Sequence, residues 1–314
     1  MDKIATRVSY GQTLLELAKE DKNIVVLDAD LAEATKSNYV KKELPEQFIE
    51  CGIAEGNMMS VAAGLAAMGL IPFASSFAMF AAGRAYDAIR NTIGYPRLNV
   101  KIGATHAGIS VGEDGASHQC LEDVALMRTI PGMVVLSPAD HIEAKACVKA
   151  AYQHSGPVYM RFSRYATEVF HNEDYEFSIG KGELLHDGTD LAVICAGIIT
   201  YNCLQAVNEL EEEGFHIRLI NMCSIKPIDE EMIIQAAKDC GYILTVEEHS
   251  TIGGLGEAVS GVVTEHYPVS VHKIGIPDVY GHSGPAAKLL EEFKLSKDEL
   301  KKQFLHYCKM NRQK

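Results

Sequence analysis

Short apolar segments alternate with segments of helical periodicity along most of the chain, and this alternation restricts its fold more than any other feature. Asn23–Leu31 (NIVVLDADL), Leu70–Ser76, Asn99–Thr105 and Val158–Phe162 have the length and apolar content of buried strands. Helical patterns such as Tyr10–Lys19 (YGQTLLELAK) separate them. This order predicts a parallel sheet covered on both faces, with ligands bound at the carboxyl ends of its strands.

A polar stretch interrupts the alternation once, and a second series of strands and helices follows it. Tyr165–Gly188 contains HNEDYEF and KGELLHDG and is predicted to be a linker with an edge hairpin. The second series begins with the apolar strand pattern of Leu191–Ala196. The predicted fold class is therefore α/β, with two doubly wound domains of mainly parallel sheets. The predicted division is a first domain over 1–165, a linker over 166–187 and a second domain over 188–314.

Composition narrows the range of functions. The chain has 314 residues, enough for two ordinary cores, and its net charge of −13 argues against nucleic acid as a partner. No apolar run reaches the ~20 residues of a membrane span, and no apolar segment follows the early charges of Met1–Arg7. The eight cysteines have no paired spacing, which predicts buried thiols rather than disulfides. A cytoplasmic protein without a membrane partner is expected.

Gly253–Ala258 (GGLGEA) lies between a predicted strand and a predicted helix. Glycines at the start of a helix can form a phosphate-binding site. The segment lacks the full order GxGxxG, however, so a tight strand-to-helix turn is the favoured interpretation.

Ala104–Gln119 (ATHAGISVGEDGASHQ), called the histidine loop below, concentrates the side chains best suited to chemistry. It contains His106 and His118, the acidic pair Glu113 and Asp114, and several glycines. Glycine allows a ligand to approach the backbone closely, and imidazoles beside carboxylates can transfer protons or hold an oxyanion near neutral pH. On residue types alone, an active-site loop and a polar surface loop are both consistent with this segment.

The order of residues in this loop resembles that of transketolases, whose usual form is TH-D-S-I-G-x-GEDG-P-T-HQ. Ala107 stands where those enzymes usually carry Asp. The resemblance extends over nearly the whole chain, but only to the last two of the three transketolase domains. It implies an enzyme that uses thiamine diphosphate to move a two-carbon ketol unit from a ketose phosphate to an aldose phosphate.

The resemblance also implies a site for the pyrimidine end of thiamine diphosphate. Ile53–Gly56 (IAEG) matches the segment whose glutamate, here Glu55, hydrogen-bonds the pyrimidine ring and assists removal of the C2 proton. Phe77 and Phe80 match aromatic residues that stack on the pyrimidine. The alternatives are a helix-capping glutamate and two ordinary core residues at positions i and i+3 of a helix over Phe77, Phe80 and Tyr86.

Four further matches concern the sugar part of the substrate. His106 and His118 match histidines that face the substrate. Together with Glu55, they are the candidate catalytic residues. Asp30 and Asp114 match acidic positions near the substrate hydroxyls. For Asp30, the alternative is a carboxylate that caps the turn after a strand.

Arg7 (ATR) and Arg164 (FSR) match arginines that bind the distal phosphate of the sugar. A planar guanidinium group suits this role because it can hold a phosphate through two parallel hydrogen bonds. Taken singly, each arginine could also be an ordinary solvated surface residue.

A missing motif indicates that the chain needs a partner. Thiamine enzymes hold Mg²⁺ and the diphosphate with a GDG segment and a later Asn, and Gly112–Gly115 (GEDG) is not that segment. No metal ligand is therefore predicted here, and Mg²⁺ is assigned to a separate N-terminal subunit. The chain is interpreted as the C-terminal subunit of a split transketolase. Two copies are expected to meet two partner subunits, with the small-residue helix over Val61–Gly69 as a contact surface.

Two alternatives from the same superfamily and one from another class stay open. The beta subunit of a 2-oxoacid dehydrogenase has this length but should lack paired histidines in a GEDG-x-x-HQ frame. A 1-deoxyxylulose 5-phosphate synthase is similar around THAG but is normally one longer chain. A non-catalytic binding or regulatory subunit could keep the fold, although Glu55, His106 and His118 argue against it.

Overall fold

The computed structural model describes residues 2–312 of the chain. Its strands are β1 (Lys3–Ala5), β2 (Ile24–Asp28), β3 (Phe48–Glu50), β4 (Ile71–Phe77), β5 (Lys101–Thr105), β6 (Val134–Leu136), β7 (Val158–Arg161), β8 (Ala166–Glu168), β9 (Glu183–His186), β10 (Leu191–Cys195), β11 (Ile217–Asn221), β12 (Ser224–Lys226), β13 (Tyr242–Ser250) and β14 (Ser270–Ile276). Its α-helices are α1 (Thr6–Glu20), α2 (Ala32–Thr35), α3 (Asn38–Glu43), α4 (Glu55–Ala67), α5 (Tyr86–Ala88), α6 (Asp123–Arg128), α7 (His141–Gln153), α8 (Ile199–Glu212), α9 (Glu230–Cys240), α10 (Leu255–His266), α11 (Ala286–Glu292) and α12 (Lys297–Asn311). Short 3₁₀ turns cover Pro45–Gln47 and Ile109–Asp114, and π-helical turns cover Met79–Arg84 and Ile89–Gly94.

The larger sheet comes mainly from the first half of the chain and has the strand order β12-β6-β7-β5-β4-β2-β3. Its neighbouring strands are parallel except for the β12–β6 pair at one edge. Tyr10 of α1 and Cys147 of α7 are buried in one apolar cluster, whereas Met58 and Ala62 of α4 belong to another. Alternating strand residues enter these two clusters, so helices cover both faces of the sheet, as predicted.

The smaller sheet has the order β14-β13-β10-β11-β9, with only β9 antiparallel to its neighbour. Cys203 of α8 and Phe304 of α12 are buried together, whereas Ile233 of α9 and Val259 of α10 belong to the other cluster. Each of these amphipathic helices buries one apolar stripe and leaves its polar face in solvent. The predicted α/β class with two mainly parallel sheets is confirmed.

The segment that was predicted to be a linker contributes a strand to each of two different pairings. Ala166 of β8 lies opposite Ala5 of β1, and Leu184 of β9 lies opposite Ile220 of β11. The predicted edge hairpin within Tyr165–Gly188 is therefore wrong. The two strands pair with partners that are distant in sequence, and such partners cannot be predicted from local composition.

Strand β12 links the two halves of the molecule. It comes shortly after β11 in the chain, yet Ser224 pairs with Leu136 of β6 in the larger sheet. Lys226 Nζ donates hydrogen bonds to the carbonyl oxygens of Arg128 and Ile130, at 2.8 and 2.6 Å. The second half of the chain thus supplies an edge strand to the first sheet and holds the end of α6.

Phe77 departs from the predicted helix over Phe77, Phe80 and Tyr86. It is the last residue of β4 and lies opposite Thr105 of β5 in a parallel ladder, while helical turns begin at Met79. The helix interpretation of Phe77 is wrong because the i, i+3 spacing carries no information about pairing with a distant strand.

Gly253–Ala258 forms the tight strand-to-helix turn that its sequence favoured. The carboxylate of Glu247 accepts hydrogen bonds from the backbone N–H groups of Leu255 and Gly256, at 2.7 and 2.9 Å. These N–H groups at the start of α10 are the ones that a bound phosphate would use. Because a buried carboxylate already occupies them, this turn is not a phosphate site.

The thiol prediction is confirmed, since all eight cysteines are free and seven of them are buried. Cys51 is partly buried. Within residues 2–312, no helix combines the length and the apolar character that crossing a lipid bilayer would require.

Candidate active site

The predicted site residues gather at the carboxyl edge of the larger sheet. Along the neighbouring strands β7, β5, β4, β2 and β3, this edge carries Arg164, His106, Phe77, Asp30 and Glu55 in that order. Each residue ends its strand or follows it by a few positions. Parallel α/β sheets bind their ligands at such an edge, because the loops after the strands converge there.

Two phenylalanines and two histidines form one cluster of rings. The imidazole of His106 stacks on Phe77 with 3.7 Å between ring centroids, and His118 meets Phe80 edge-on at 5.3 Å. The two phenylalanine rings are nearly parallel and 5.7 Å apart. The structure thus brings together four residues that the sequence had predicted separately, at the sheet edge rather than in a helix core.

His106 is held as a neutral imidazole in one tautomer. Burial, followed by the charges of Arg7 and Arg164, lowers the pKa of His106 to about 3. Its Nε2 lies 3.2 Å from Arg7 Nη1, and its Nδ1 lies 2.9 Å from Thr105 Oγ1. A guanidinium group can only donate, so Nε2 accepts the hydrogen bond and the proton of the ring lies on Nδ1. His106 is therefore an uncharged hydrogen-bonding group at neutral pH.

Glu55 is the first residue of α4, and its side chain is 1% exposed. Arg84 Nη1 lies 3.1 Å from both carboxylate oxygens, and Arg84 Cζ lies 4.6 Å from the ring centroid of Phe80. Among the described residues, the hydrogen bonds of Glu55 come from Arg84 and not from helix N–H groups, and its place in the first turn of α4 also suits the helix dipole. Sequence reasoning missed Arg84, although it follows Phe80 by four positions.

Arg7 offers an unused donor to an anion. Its Nη1 donates to the carbonyl oxygen of Ala34 at 2.8 Å, whereas its Nε is buried without a hydrogen-bond partner among residues 2–312. Burial, and next the charge of Arg164, lower the pKa of Arg7, so the two guanidinium groups affect each other. A phosphate group would satisfy the buried donor and neutralise the neighbouring positive charges.

Arg164 connects the sheet edge to the acidic part of the histidine loop. Its Nη1 lies 3.3 Å from Asp114 Oδ1 and 3.9 Å from Glu113 Oε2, and it donates to the carbonyl oxygen of Val111 at 3.0 Å. Arg164 and Glu113 also line an open cleft of about 520 Å³. Asp114 is therefore placed by an ion pair with a residue predicted to bind phosphate.

Asp30 is exposed, and its backbone N–H donates to Glu50 Oε1 at 2.8 Å. The buried carboxylate at this strand end is Asp28, which accepts hydrogen bonds from the hydroxyls of Thr35 and Ser37 at 2.7 and 2.8 Å. Burial raises the pKa of Asp28 to about 6. The capping role considered for Asp30 thus belongs to Asp28, and the substrate role of Asp30 stays a prediction.

A cleft of about 680 Å³ opens beside Phe80 and Arg84 and is also lined by Gln119 and Tyr280. Phe80 offers an aromatic face, and the Glu55 carboxylate lies behind the Arg84 guanidinium, which is 55% exposed. A flat aminopyrimidine ring fits these groups, since it can stack on an aromatic face and share a proton with a carboxylate. Arg84 would have to turn away before such a ring could reach Glu55.

Comparisons with known proteins match both halves of the chain. The transketolase pyrimidine-binding domain matches residues 2–168, and the transketolase C-terminal domain matches residues 180–300. A protein of Methanocaldococcus jannaschii that is named as a putative transketolase C-terminal section is 48% identical over 306 residues, which cover 96% of each chain. One of the subunits of the apulose-4-phosphate transketolase of Phocaeicola vulgatus is 41% identical over 307 residues and 98% of each chain.

A solved structure of a split-gene transketolase, described as an inactive beta4 tetramer, superimposes with a TM-score of 0.91. It is 47% identical, and the match covers 98% of this chain and 99% of that one. The chain therefore belongs to the transketolase family. Within that family it corresponds to the C-terminal subunit of a split transketolase, which confirms the resemblance seen in the histidine loop. Its pyrimidine-binding domain implies thiamine diphosphate as the cofactor.

Proposed function

We propose that this chain is the catalytic C-terminal subunit of a thiamine diphosphate-dependent transketolase. With a separate N-terminal subunit, it transfers a two-carbon ketol unit from a ketose phosphate to an aldose phosphate. The observation that carries this proposal is the position of Glu55. Its buried carboxylate lies at the sheet edge and contacts Arg84, which lies over the Phe80 ring. That ring also contacts His118 of the histidine loop.

The residues of this chain have distinct roles in the proposed reaction. Thiamine diphosphate, when bound, supplies the nucleophilic carbon for ketol transfer. Glu55 holds a proton at the pyrimidine ring nitrogen, and Phe77 and Phe80 offer faces for stacking. His106, as a neutral imidazole, and His118 hydrogen-bond the reacting oxygen atoms of the sugar and orient its carbonyl group.

Four charged residues select the substrate in this proposal. Arg7, through its free Nε, and Arg164 bind the distal phosphate of the sugar. Asp114 and Asp30 accept hydrogen bonds from sugar hydroxyls. Arg164 is paired with Asp114 at 3.3 Å, so phosphate binding and hydroxyl recognition involve neighbouring groups.

The proposed enzyme needs a second kind of subunit and a second copy of this chain. An N-terminal transketolase subunit would hold Mg²⁺ and the diphosphate, because the motif for that site is missing here. Sugar phosphates are the small-molecule partners, and we infer a cytoplasmic location from the composition. The Phocaeicola vulgatus relative is named for apulose 4-phosphate. The donor panel for any assay should therefore include that sugar beside xylulose 5-phosphate.

Exchange of the C2 proton of thiamine diphosphate for deuterium tests the role of Glu55 before any sugar is involved. With the N-terminal subunit present, Glu55→Gln should slow this exchange by roughly a hundredfold or more, because the proton at the pyrimidine nitrogen is no longer shared with a carboxylate. Glu50→Gln is the matched control, since Glu50 ends β3 nearby but contacts Asp30 and Lys41 instead. Exchange at the wild-type rate in Glu55→Gln would contradict the proposal.

A further inference from the structure

The smaller sheet reaches the histidine loop through one buried carboxylate. We propose that Glu248, at the carboxyl end of β13, is a positioning residue that fixes the histidine loop for ketol transfer. The second half of the chain then acts directly on the geometry of the active site. This inference rests on the proposed function, and it assigns that function a residue outside the larger sheet.

Glu248 contacts the loop two to four residues after His106. It is 3% exposed, and its Oε1 accepts a hydrogen bond from the backbone N–H of Ser110. Gly108 has a φ of +83°, and a Cβ atom there would overlap with the Glu248 carboxyl group. The loop backbone is thus shaped to receive this carboxylate, which is a strong acceptor for a buried N–H group.

The backbone of the loop needs such support. His106 has a φ of 56°, which is unfavourable for a residue with a side chain. A strained conformation of this kind persists only where its surroundings hold it in place. The Glu248–Ser110 hydrogen bond is one of the contacts that hold the segment after His106.

A buried arginine ties the return of the loop to the same strand. Arg161 Nη2 donates to the carbonyl oxygen of Glu248 at 2.9 Å and to that of Cys120 at 3.3 Å. Its Nε lies 2.9 Å from Asp123 Oδ2, which fixes the guanidinium plane. Cys120 follows the loop directly, and its carbonyl oxygen also accepts the N–H of Gly108 at 3.0 Å. Glu248 therefore contacts the loop directly at Ser110 through its side chain, and its backbone is joined through Arg161 to Cys120 at the end of the loop.

A second contact between the loop and the second half of the chain involves Gln119, the last residue of the loop. Gln119 is buried, and its Nε2 has two N–H donors within hydrogen-bonding distance of three carbonyl oxygens, those of Ile109, Gly112 and His282, at 3.3, 3.2 and 3.0 Å. A Cβ atom on Gly281 would overlap with Gln119 Oε1. The segment before α11 therefore packs closely against the Gln119 amide, just as the Glu248 side chain of β13 packs closely against Gly108.

The test replaces Glu248 and compares it with its neighbour in the reconstituted enzyme. Glu248→Gln keeps the size of the side chain but loses the charge of the acceptor. Glu247→Gln is the matched control, because Glu247 is equally buried and also accepts backbone N–H groups, but those of α10. We expect Glu248→Gln to lower kcat about tenfold to a hundredfold with a smaller change in KM, since misplaced groups affect the transition state most. Glu247→Gln should lower thermal stability and leave kcat near the wild-type value.

C2 deuterium exchange separates this proposal from the proposed function. Exchange depends on Glu55 and should keep the wild-type rate in Glu248→Gln, while ketol transfer falls. A wild-type kcat in Glu248→Gln, or an equal loss of kcat in Glu247→Gln, would overturn the positioning role. If Glu55→Gln changed neither C2 exchange nor ketol transfer, the proposed function itself would be overturned.

A second variant keeps the test informative if Glu248→Gln does not fold. Gly281→Ala pushes on the Gln119 amide without changing any charge, and Gly281 does not have a left-handed φ. It should lower kcat and leave C2 exchange intact, whereas Gly261→Ala, whose added Cβ meets nothing within 4 Å, should have no effect. Wild-type ketol transfer in Gly281→Ala would overturn the inference that the segment before α11 helps to hold the loop through Gln119.

Discussion

At the scale of single residues, the contact between His106 and Arg7 joins the two parts of the proposed site, the phosphate-binding end and the reacting end. Arg7 Nη1 donates to His106 Nε2, and the neighbouring Nε of Arg7 has no partner in the described part of the chain. A phosphate bound at Nε would leave the Nη1 hydrogen bond to His106 in place, so that one guanidinium group would contact both the phosphate and the imidazole.

Arg7→Ala and Arg164→Ala should discriminate between phosphorylated and free sugars. Each substitution removes a charge-assisted hydrogen bond worth about 1.5–3 kcal/mol, which corresponds to a loss of roughly tenfold to a hundredfold in kcat/KM for a ketose phosphate. The kcat/KM of an unphosphorylated ketose should change little. Steady-state kinetics on both donors checks this.

Arg218→Ala is the control for these two variants, because Arg218 pairs with Asp187 and Asp239 on the smaller sheet. It should affect neither donor. Equal losses of kcat/KM on phosphorylated and free ketoses in Arg7→Ala or Arg164→Ala would mean that the arginine is structural.

At the scale of elements, the segment between the two sheets is fastened by a buried polar cluster. His171 Nδ1 lies 3.0 Å from Asp140 at the start of α7, and its Nε2 lies 2.8 Å from Glu183 of β9. Glu143 of α7 accepts a hydrogen bond from Asn221 of β11 at 2.8 Å. Residues of the larger sheet, the connecting segment and the smaller sheet thus meet in one cluster, which makes this segment more than a flexible linker.

The cluster predicts a pH-dependent contribution to stability. Burial alone disfavours charge on His171, but its contacts with Asp140 and Glu183 outweigh this and raise the pKa of His171 to about 10. The charged imidazole therefore stabilises the fold fully below the ordinary histidine pKa of about 6.5, and this stabilisation is lost as the pH rises toward 10. His171→Gln should lower the free energy of unfolding by about 3 kcal/mol at the acidic end of this range.

Urea unfolding of the wild type and His171→Gln across this pH range checks the prediction. The difference between the two free energies of unfolding should shrink steadily as the pH rises. His216→Gln, which removes an exposed histidine paired with Glu211, should give a small difference at every pH. A constant difference for His171→Gln would contradict a charged imidazole in the cluster.

The sequence predicted the elements well where the signal is local, and failed where it depends on distant partners. The main strands and the helices between them follow from apolar periodicity, and so does the placement of Asp30 and the histidine loop at one sheet edge. The hairpin, and the helical state of Phe77, were wrong because their pairing partners lie far away in sequence. Arg84 and Glu248 escaped notice because single charged residues carry no motif, and their burial and partners appear only in the folded chain.

At the scale of the whole molecule, the outer face of α4 is an exposed surface of small and apolar residues. Gly64 has nothing within 4 Å of a built Cβ atom, and Ile53 and Met68 at the two ends of the helix are 75% and 82% exposed. Tyr95 is also 86% exposed. Apolar groups that remain in solvent in the single chain indicate a surface for another protein.

Gly64→Glu should weaken self-association of the chain, because a charged side chain on α4 prevents the close approach of a second helix. Gly261→Glu is the matched control, since Gly261 lies on helix α10 with equally open space around it. Light scattering coupled to gel filtration should give a smaller mass for Gly64→Glu than for the wild type and Gly261→Glu. Unchanged masses in all three proteins would exclude this face of α4 as the contact surface.

The central claim is that this chain carries the pyrimidine half of an active site and becomes an enzyme only with an N-terminal subunit. The most direct measurement is ketol transfer from xylulose 5-phosphate to ribose 5-phosphate, followed together with thiamine diphosphate binding, for the purified chain alone and with that subunit. We expect no transfer and weak cofactor binding by the chain alone, and the appearance of transfer and tight binding together when the subunit is added. Ketol transfer by the purified chain without a partner would contradict the claim.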